Sequence, residues 1–199
     1  MNLETINKIF PISPNNNLLK YDEEGLWSIS LPNDATEISL FIYEITGFNI
    51  TIFDGTAGIG GNVISFSKYF KNVVAVELDI DRFNILKNNI DIFKITNVKL
   101  INGDCNNYLN DNFNVYFFDP PWGGKEYKSK EKIKLKLGDY TLNNIIKKIN
   151  NIIIKNNNKI IVFKLPYNYD LSEFNNYDYN IIKIKNYILI KISININER

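Results

Sequence analysis

An α/β fold, with a mostly parallel sheet of seven strands covered by helices on both faces, is predicted by three features of this sequence. Short β-branched and aromatic runs alternate with segments of helical spacing from residue 34 onward. The first four runs end in an acid or a Gly/Pro turn: Asp54 with its glycines, Glu77, Asp104, and Asp119-Pro-Pro. The last segment, "YNIIKIKNYILIKISI", changes to a period of two, which predicts a C-terminal antiparallel hairpin. Ligands in open α/β sheets bind beyond the carboxyl ends of the strands, so three or four carboxylates are expected on the rim of one crevice.

Taken in order, residues 1–33 carry Pro11, Pro14, Pro32 and the turn-like "PNNN" and "DEEG", and are expected to be an irregular arm. The domain proper is expected over 34–199. Asn33 or Asp34 is suited to cap a helix over "ATEISLFIYEI", where Ile38, Ile42 and Ile45 share a face. A strand, a glycine loop and an amphipathic segment follow in "NITIFDGTAGIGGN" and "VISFSKYF". The strand "NVVAVELD" precedes the helical "DRFNILKNNIDIF"; "NVKLINGD" leads to "CNNYL", and "FNVYFFDPP" ends in the proline turn. Helical spacing in "YTLNNIIKKINNIIIK" precedes the strand "KIIVFKLP" and the hairpin.

The 199 residues, 45% hydrophobic and 14% aromatic, suffice for one domain with a substantial core. A net charge of +1 excludes a global positive field for long nucleic-acid tracks, so any such role rests on a local patch. The absence of histidine removes imidazole catalysis and ligation, and the single cysteine, Cys105, excludes a disulfide framework or cysteine zinc site. The chemistry is left to carboxylates, backbone groups, lysines or a cofactor, and no metal is expected. No apolar run is long enough to span a bilayer and no signal sequence opens the chain, so a soluble intracellular protein without membrane partners is expected. The heavy use of Asn, Ile and Lys points to AT-rich coding.

In "DGTAGIGG" the glycines let the backbone approach a ligand closely and feed a helix N-terminus, although a tight structural turn would use the same residues. The spacing is neither a dinucleotide fingerprint nor a P-loop. Glu77, about twenty residues on, is placed to accept both hydroxyls of a ribose, and otherwise is a solvated strand end. Asp104 accepts from an adenine amine or caps the segment after it. This ordered set resembles the class I S-adenosylmethionine-dependent methyltransferases, whose Rossmann-like sheet also ends in an antiparallel hairpin. The resemblance spans residues 34–195. It implies S-adenosylmethionine as cofactor and S-adenosylhomocysteine as product, with Asp54, Gly55, Thr56, Ala57, Gly58, Gly60 and Asn62 at the methionine part, Glu77 and Leu78 at the ribose, and Asp104 and Cys105 at the adenine.

In that family an (Asp/Asn/Ser)-Pro-Pro-aromatic turn after the fourth strand marks an amine as methyl acceptor. Here it reads Asp119-Pro120-Pro121-Trp122. An aromatic NH₂ is a poor nucleophile because its lone pair is delocalised. Acceptors aimed at its two hydrogens, the Asp119 side chain or carbonyl and the Pro120 carbonyl, turn the lone pair toward the methyl group. Prolines fix φ and remove competing donors. Trp122 offers a face to a base.

Four blocks carry a narrower resemblance to trimethylguanosine synthases, which methylate N2 of the 7-methylguanosine RNA cap: "KYDEEGLWSISLPNDATEISLFI", "FDGTAGIGGN", "PPWGGKEY" and "FKLPYNYD". The resemblance implies that Trp122 stacks on the cap guanine, whose positive charge gains cation–π attraction. It also implies that Ser28 and Ser30 of the arm close over the cofactor, that Gly123, Lys125, Tyr127 and Lys164 meet the cap, and that Tyr167 lies in the same region. The run Lys125 to Lys136 either faces the cap phosphates or is a solvated loop. Expected partners are capped RNA or a cap nucleotide, with the chain a monomer in cytoplasm or nucleus, of a cellular or viral source. Two positions depart from the family pattern: Asp119 stands where Ser is usual, as in adenine-N6 methyltransferases, and Tyr167 stands where Arg is usual. An adenine N6 or unmodified guanine N2 acceptor, and a non-catalytic module, are the alternatives.

Overall fold

The computed structural model describes residues 2–153 and 158–194, apart from the side chain of Lys125. The chain folds as two compact units, Met1–Cys105 and Asn106–Arg199.

In the first unit the arm is largely helical, which corrects the expectation of an irregular segment. Helix α1 spans Leu3–Ile9, a 3₁₀ turn covers Asn16–Leu18, and α2 spans Glu23–Ser28. Helices of seven and six residues are too short to display a hydrophobic period or to persist alone. Caps and burial hold them instead. The Asn2 side chain accepts from the Glu4 N–H, and Asp22 accepts from the Gly25 N–H, both at 2.9 Å. Ile6, Ile9, Phe10 and Leu19 are buried. Helix α3, Pro32–Thr46, starts ahead of the expected cap: Pro32 sits in its first turn, where a preset φ is favourable, and Asn33 and Asp34 lie inside the helix. Strand β1 (Thr51–Asp54), α4 (Gly61–Tyr69), β2 (Asn72–Glu77), α5 (Ile80–Ile92) and β3 (Val98–Asn102) follow as expected. β1 pairs with β2, and β2 with β3, in parallel.

Two glycines let the arm lie directly on the loop after β1. A Cβ on Gly25 would stand 2.7 Å from Ile59, and one on Gly61 would stand 2.6 Å from the Ser30 carbonyl oxygen. The second obstacle is backbone and cannot turn aside. Gly61→Ala is therefore expected to cost at least about 1 kcal/mol and to free residues 19–31 from α4. Urea melts and trypsin cleavage after Lys20 read both effects; unchanged cleavage would contradict them.

In the second unit β4 (Val115–Phe118) runs parallel to β7 (Lys159–Leu165), and β7 pairs antiparallel with β9 (Tyr187–Ile194), which pairs with β8 (Tyr179–Ile184). The terminal hairpin thus falls where the period of two predicted it. A small hairpin of β5 (Lys136–Leu137) and β6 (Tyr140–Thr141) was not predicted. It shortens the expected helix at 140–155: α6 spans Leu142–Ile152, because Thr141 caps it by accepting from the Asn144 N–H at 3.2 Å. The helix ends before Ile153, whose backbone is extended, and the expected continuation over 154–155 lies outside the described residues. The strand order is β3-β2-β1 in the first unit and β4-β7-β9-β8 in the second.

Candidate functional site

On the first unit, β1 delivers Asp54 fully buried at its end, with Oδ1 accepting from the Thr56 N–H at 3.0 Å. The loop then folds back on β2: the Ala57 N–H donates to the Val76 carbonyl at 3.0 Å. Gly58, at φ +54°, donates its N–H to Glu77 Oε2 at 2.9 Å. No atom lies within 4 Å of where a Gly58 Cβ would stand, so the loop leaves open space there. Gly60, at φ +106°, starts α4. Asn62, in the first turn of α4, is 6% exposed, and its Oδ1 is a buried acceptor with no hydrogen-bond partner. A ligand bearing an ammonium group would satisfy it.

Glu77 organises this loop as well as facing a ligand role. Its Oε1 accepts from the Asp79 N–H at 2.9 Å, and Arg82 Nη1 lies 3.8 Å from the same oxygen. Each carboxylate oxygen retains acceptor capacity for a ribose hydroxyl. Burial pushes the Glu77 carboxyl above its ordinary 4.5, opposed by the two N–H groups and Arg82. The sign follows. A raised folded value means that the folded state holds its proton longer, so this group's contribution to stability falls as pH rises through that window. The ribose role expected of Glu77 needs the ionised form, so affinity for a ribose-bearing ligand is expected to rise over the same window. Glu77→Gln should lose about tenfold in affinity, the equivalent of one hydrogen bond to a charged group, and flatten that pH dependence. Calorimetric titration at several pH values checks it.

Leu78 is 68% exposed, Asp104 is half-buried, and Cys105 is buried at the head of a 3₁₀ turn, Cys105–Asn107. Asn102 ties the ends of β2 and β3 together, donating to the carbonyls of Glu77 (2.9 Å) and Leu78 (3.1 Å). In the arm, Ser28 Oγ donates to the Glu24 carbonyl at 2.8 Å and Ser30 is buried.

Two α5 side chains that sequence reasoning missed hold the arm against this loop. Arg82 reaches Glu24 at 2.8 Å and Asp22 at 3.4 Å besides Glu77. Asn89, fully buried, donates to the carbonyls of Lys20 and Ile59 (both 3.0 Å) and accepts from the Lys20 N–H at 2.9 Å. One signal was present: in a lysine-rich chain Arg82 is the only arginine before the last residue, and the acidic "DEEG" is its counterpart.

On the second unit, Asp119 follows β4, Pro120 is buried, Pro121 exposed and Trp122 half-buried. Gly123 (φ +85°) and Gly124 (φ +68°) occupy left-handed backbone and turn the chain into a 3₁₀ segment, Gly124–Ser129. The Trp122 ring meets Tyr127 edge-on at 5.2 Å, and its Nε1 is a buried donor with no hydrogen-bond partner. Asn168 anchors the lysine-rich loop, donating to the carbonyls of Tyr127 (2.7 Å) and Lys130 (2.8 Å). Over residues 132–137, Ile133, Leu135 and Leu137 are buried and Lys132, Lys134 and Lys136 exposed. Tyr167 is exposed and its hydroxyl donates to the Ile184 carbonyl. Lys164 is 6% exposed, with Nζ 2.6 Å from Asp119 Oδ2. The Lys125 side chain lies outside the described set.

Among the described residues no cluster of His, Cys, Asp and Glu could hold a metal, and no helix is long and apolar enough to cross a membrane. The family described as RNA cap guanine-N2 methyltransferase matches residues 49–198. An uncharacterized protein of Acanthamoeba polyphaga mimivirus is 37% identical over 73% of this chain and 55% of its own length. The trimethylguanosine synthase of Schizosaccharomyces pombe is 27% identical over 81% of this chain and 71% of its own. The chain therefore spans little more than half of the viral relative. A solved Escherichia coli protein described as a methyltransferase superposes with a TM-score of 0.61 at 16% identity, covering 89% of this chain and 91% of that one. The match over 49–198, a glycine loop bonded to the acid of β2, and a carboxylate-proline-proline-tryptophan turn after β4 agree: this chain belongs to the RNA cap guanine-N2 methyltransferase family.

Proposed function

We propose that this chain methylates the exocyclic N2 of 7-methylguanosine caps, giving 2,7-dimethylguanosine and, where the product rebinds with its amine turned, 2,2,7-trimethylguanosine. The observation that carries this reading is the turn after β4, which sets a carboxylate, a proline carbonyl and an indole within four residues. When bound, S-adenosylmethionine supplies an electrophilic methyl: the amine lone pair forms the new N–C bond, the S–C pair stays on sulfur, and the amine then releases one proton to water.

The residues of the chain bind and orient. Asp54, Gly55, Thr56, Ala57, Gly58, Gly60 and Asn62 hold the methionine end, where Asn62 Oδ1 is a ready acceptor for the ammonium. Glu77 and Leu78 hold the ribose, and Asp104 and Cys105 the adenine. Residues 1–33 contribute Ser28 and Ser30 from an arm fixed by Arg82 and Asn89. Asp119 and the Pro120 carbonyl accept from the target amine, and Pro121 keeps the turn free of a competing N–H. Trp122 stacks the base, with Gly123, Lys125 and Tyr127 beside it. Positioning and hydrogen bonding supply the catalysis, without a metal.

Labelled methyl transfer to 7-methyl-GTP, GTP and an adenine oligonucleotide, with products resolved by mass, tests the reading. Transfer to the 7-methylated guanine alone is expected. A second reading, adenine N6, is favoured by Asp119 standing where the family pattern has Ser, and transfer to adenine would install it in place of the first.

A further inference from the structure

The acid at 119 has a partner built for it. β4 and β7 are in parallel register with Phe118 opposite Phe163, and the two rings stack at 5.5 Å. Phe163 stacks in turn on Phe174 at 5.8 Å, and Phe174 on Tyr169 at 5.5 Å. This column fixes the strand ends, so Asp119, the residue after β4, and Lys164 on β7 are brought side by side. The ion pair measures 2.6 Å, and the side chains are 13% and 8% exposed. Lys164 Nζ also lies 5.5 Å from the Trp122 ring and 5.1 Å from the Tyr187 ring. One ammonium thus touches the acid and the indole to which the acceptor turn owes its chemistry.

We infer that Lys164 is a positioning residue for the acceptor turn: it holds the Asp119 carboxylate in one orientation and balances its charge beside Trp122. The inference rests on the reading proposed above. With the Lys164 ammonium removed, a carboxylate this poorly solvated would more readily take up a proton or swing toward water, and in either state would orient an amine less well. A lone ammonium beside the indole would repel a cationic base. The pair leaves the turn neutral while keeping one directed acceptor. It also accounts for acid at 119: Asp119 and Lys164 work as a unit, where serine needs no counter-ion. In this reading Lys164 serves the acceptor turn rather than the cap phosphates.

The two roles differ in kinetics. Loss of a phosphate ligand raises KM and leaves kcat; loss of a positioning residue lowers kcat. Lys164→Met keeps the aliphatic stem and is expected to lower kcat on 7-methyl-GTP at least tenfold with KM unchanged or lower. Lys164→Arg, which keeps the charge, should recover part of that loss. Asp119→Ser/Lys164→Met should have a kcat no lower than that of Asp119→Ser, because the lysine acts on kcat through the acid. A raised KM with kcat intact, or losses that simply add in the double variant, would overturn the inference. Should Lys164→Met fail to fold by circular dichroism, the comparison of Asp119→Ser with the double variant decides alone. Wild-type protein inactive on the cap overturns the parent reading; active wild-type with additive losses overturns only this one.

Discussion

Trp122→Ala is expected to lower kcat/KM for a 7-methylguanosine cap about 100-fold, and to lower any residual activity on unmethylated GTP much less. Stacking of a base on an aromatic ring is worth ~1–3 kcal/mol. A fixed positive charge on that base adds about 0.5–2 kcal/mol of cation–π attraction. Each ~1.4 kcal/mol is a factor of ten, so the charged base loses more than the neutral one. The fold should tolerate the change, because the Trp122 ring is half-buried and its ring neighbours are Tyr127 and Lys164. Trp122→Phe should keep part of the stacking and less of the charge preference. Competition kinetics with 7-methyl-GTP and GTP in one tube measures the ratio directly. Equal losses on both guanines would mean that the indole packs the turn and does not read the methyl group.

What the sequence disclosed, and what it hid, follows from range. Period-two and helical patterns are local, so β1 to β4, α4, α5 and the terminal hairpin were legible, as were the acids at strand ends. The arm was not. Leu3–Ile9 and Glu23–Ser28 are each shorter than two full turns, and the chain around the second is held by α5 side chains 60 and 69 residues away. The β5–β6 hairpin is two residues per strand, below the length at which alternation declares itself. At the candidate site, residue types pointed to Asp119 and Trp122. The contact of Lys164 with Asp119 depends on the register of β4 against β7, which no pattern in either strand specifies.

Arg82→Ala should separate the arm's two supports. Arg82 is 16% exposed and faces three acids: Glu24, Asp22 and the buried Glu77. Its contact with Glu24 is exposed on the acid's side and worth little after solvent screening. The loss that matters is at Glu77, which burial already pushes upward and which Arg82 pulls back. Removing a partner from a buried ion pair costs roughly 3–5 kcal/mol; with 3.8 Å separation and two backbone donors remaining on Glu77, about 2 kcal/mol is expected. Cofactor affinity should fall about tenfold at neutral pH, and the pH at which binding is half lost should move up, since Glu77 then ionises later. Asn89→Ala removes the bonds to Lys20 and Ile59 without touching that charge. It should speed trypsin cleavage after Lys20 and leave the pH profile of cofactor binding in place. If both variants shift the profile alike, the arm itself carries the effect and the Arg82 charge does not reach Glu77. If only Arg82→Ala shifts it, one side chain both anchors the arm and sets the ionisation of Glu77, so that arm docking and cofactor binding favour each other.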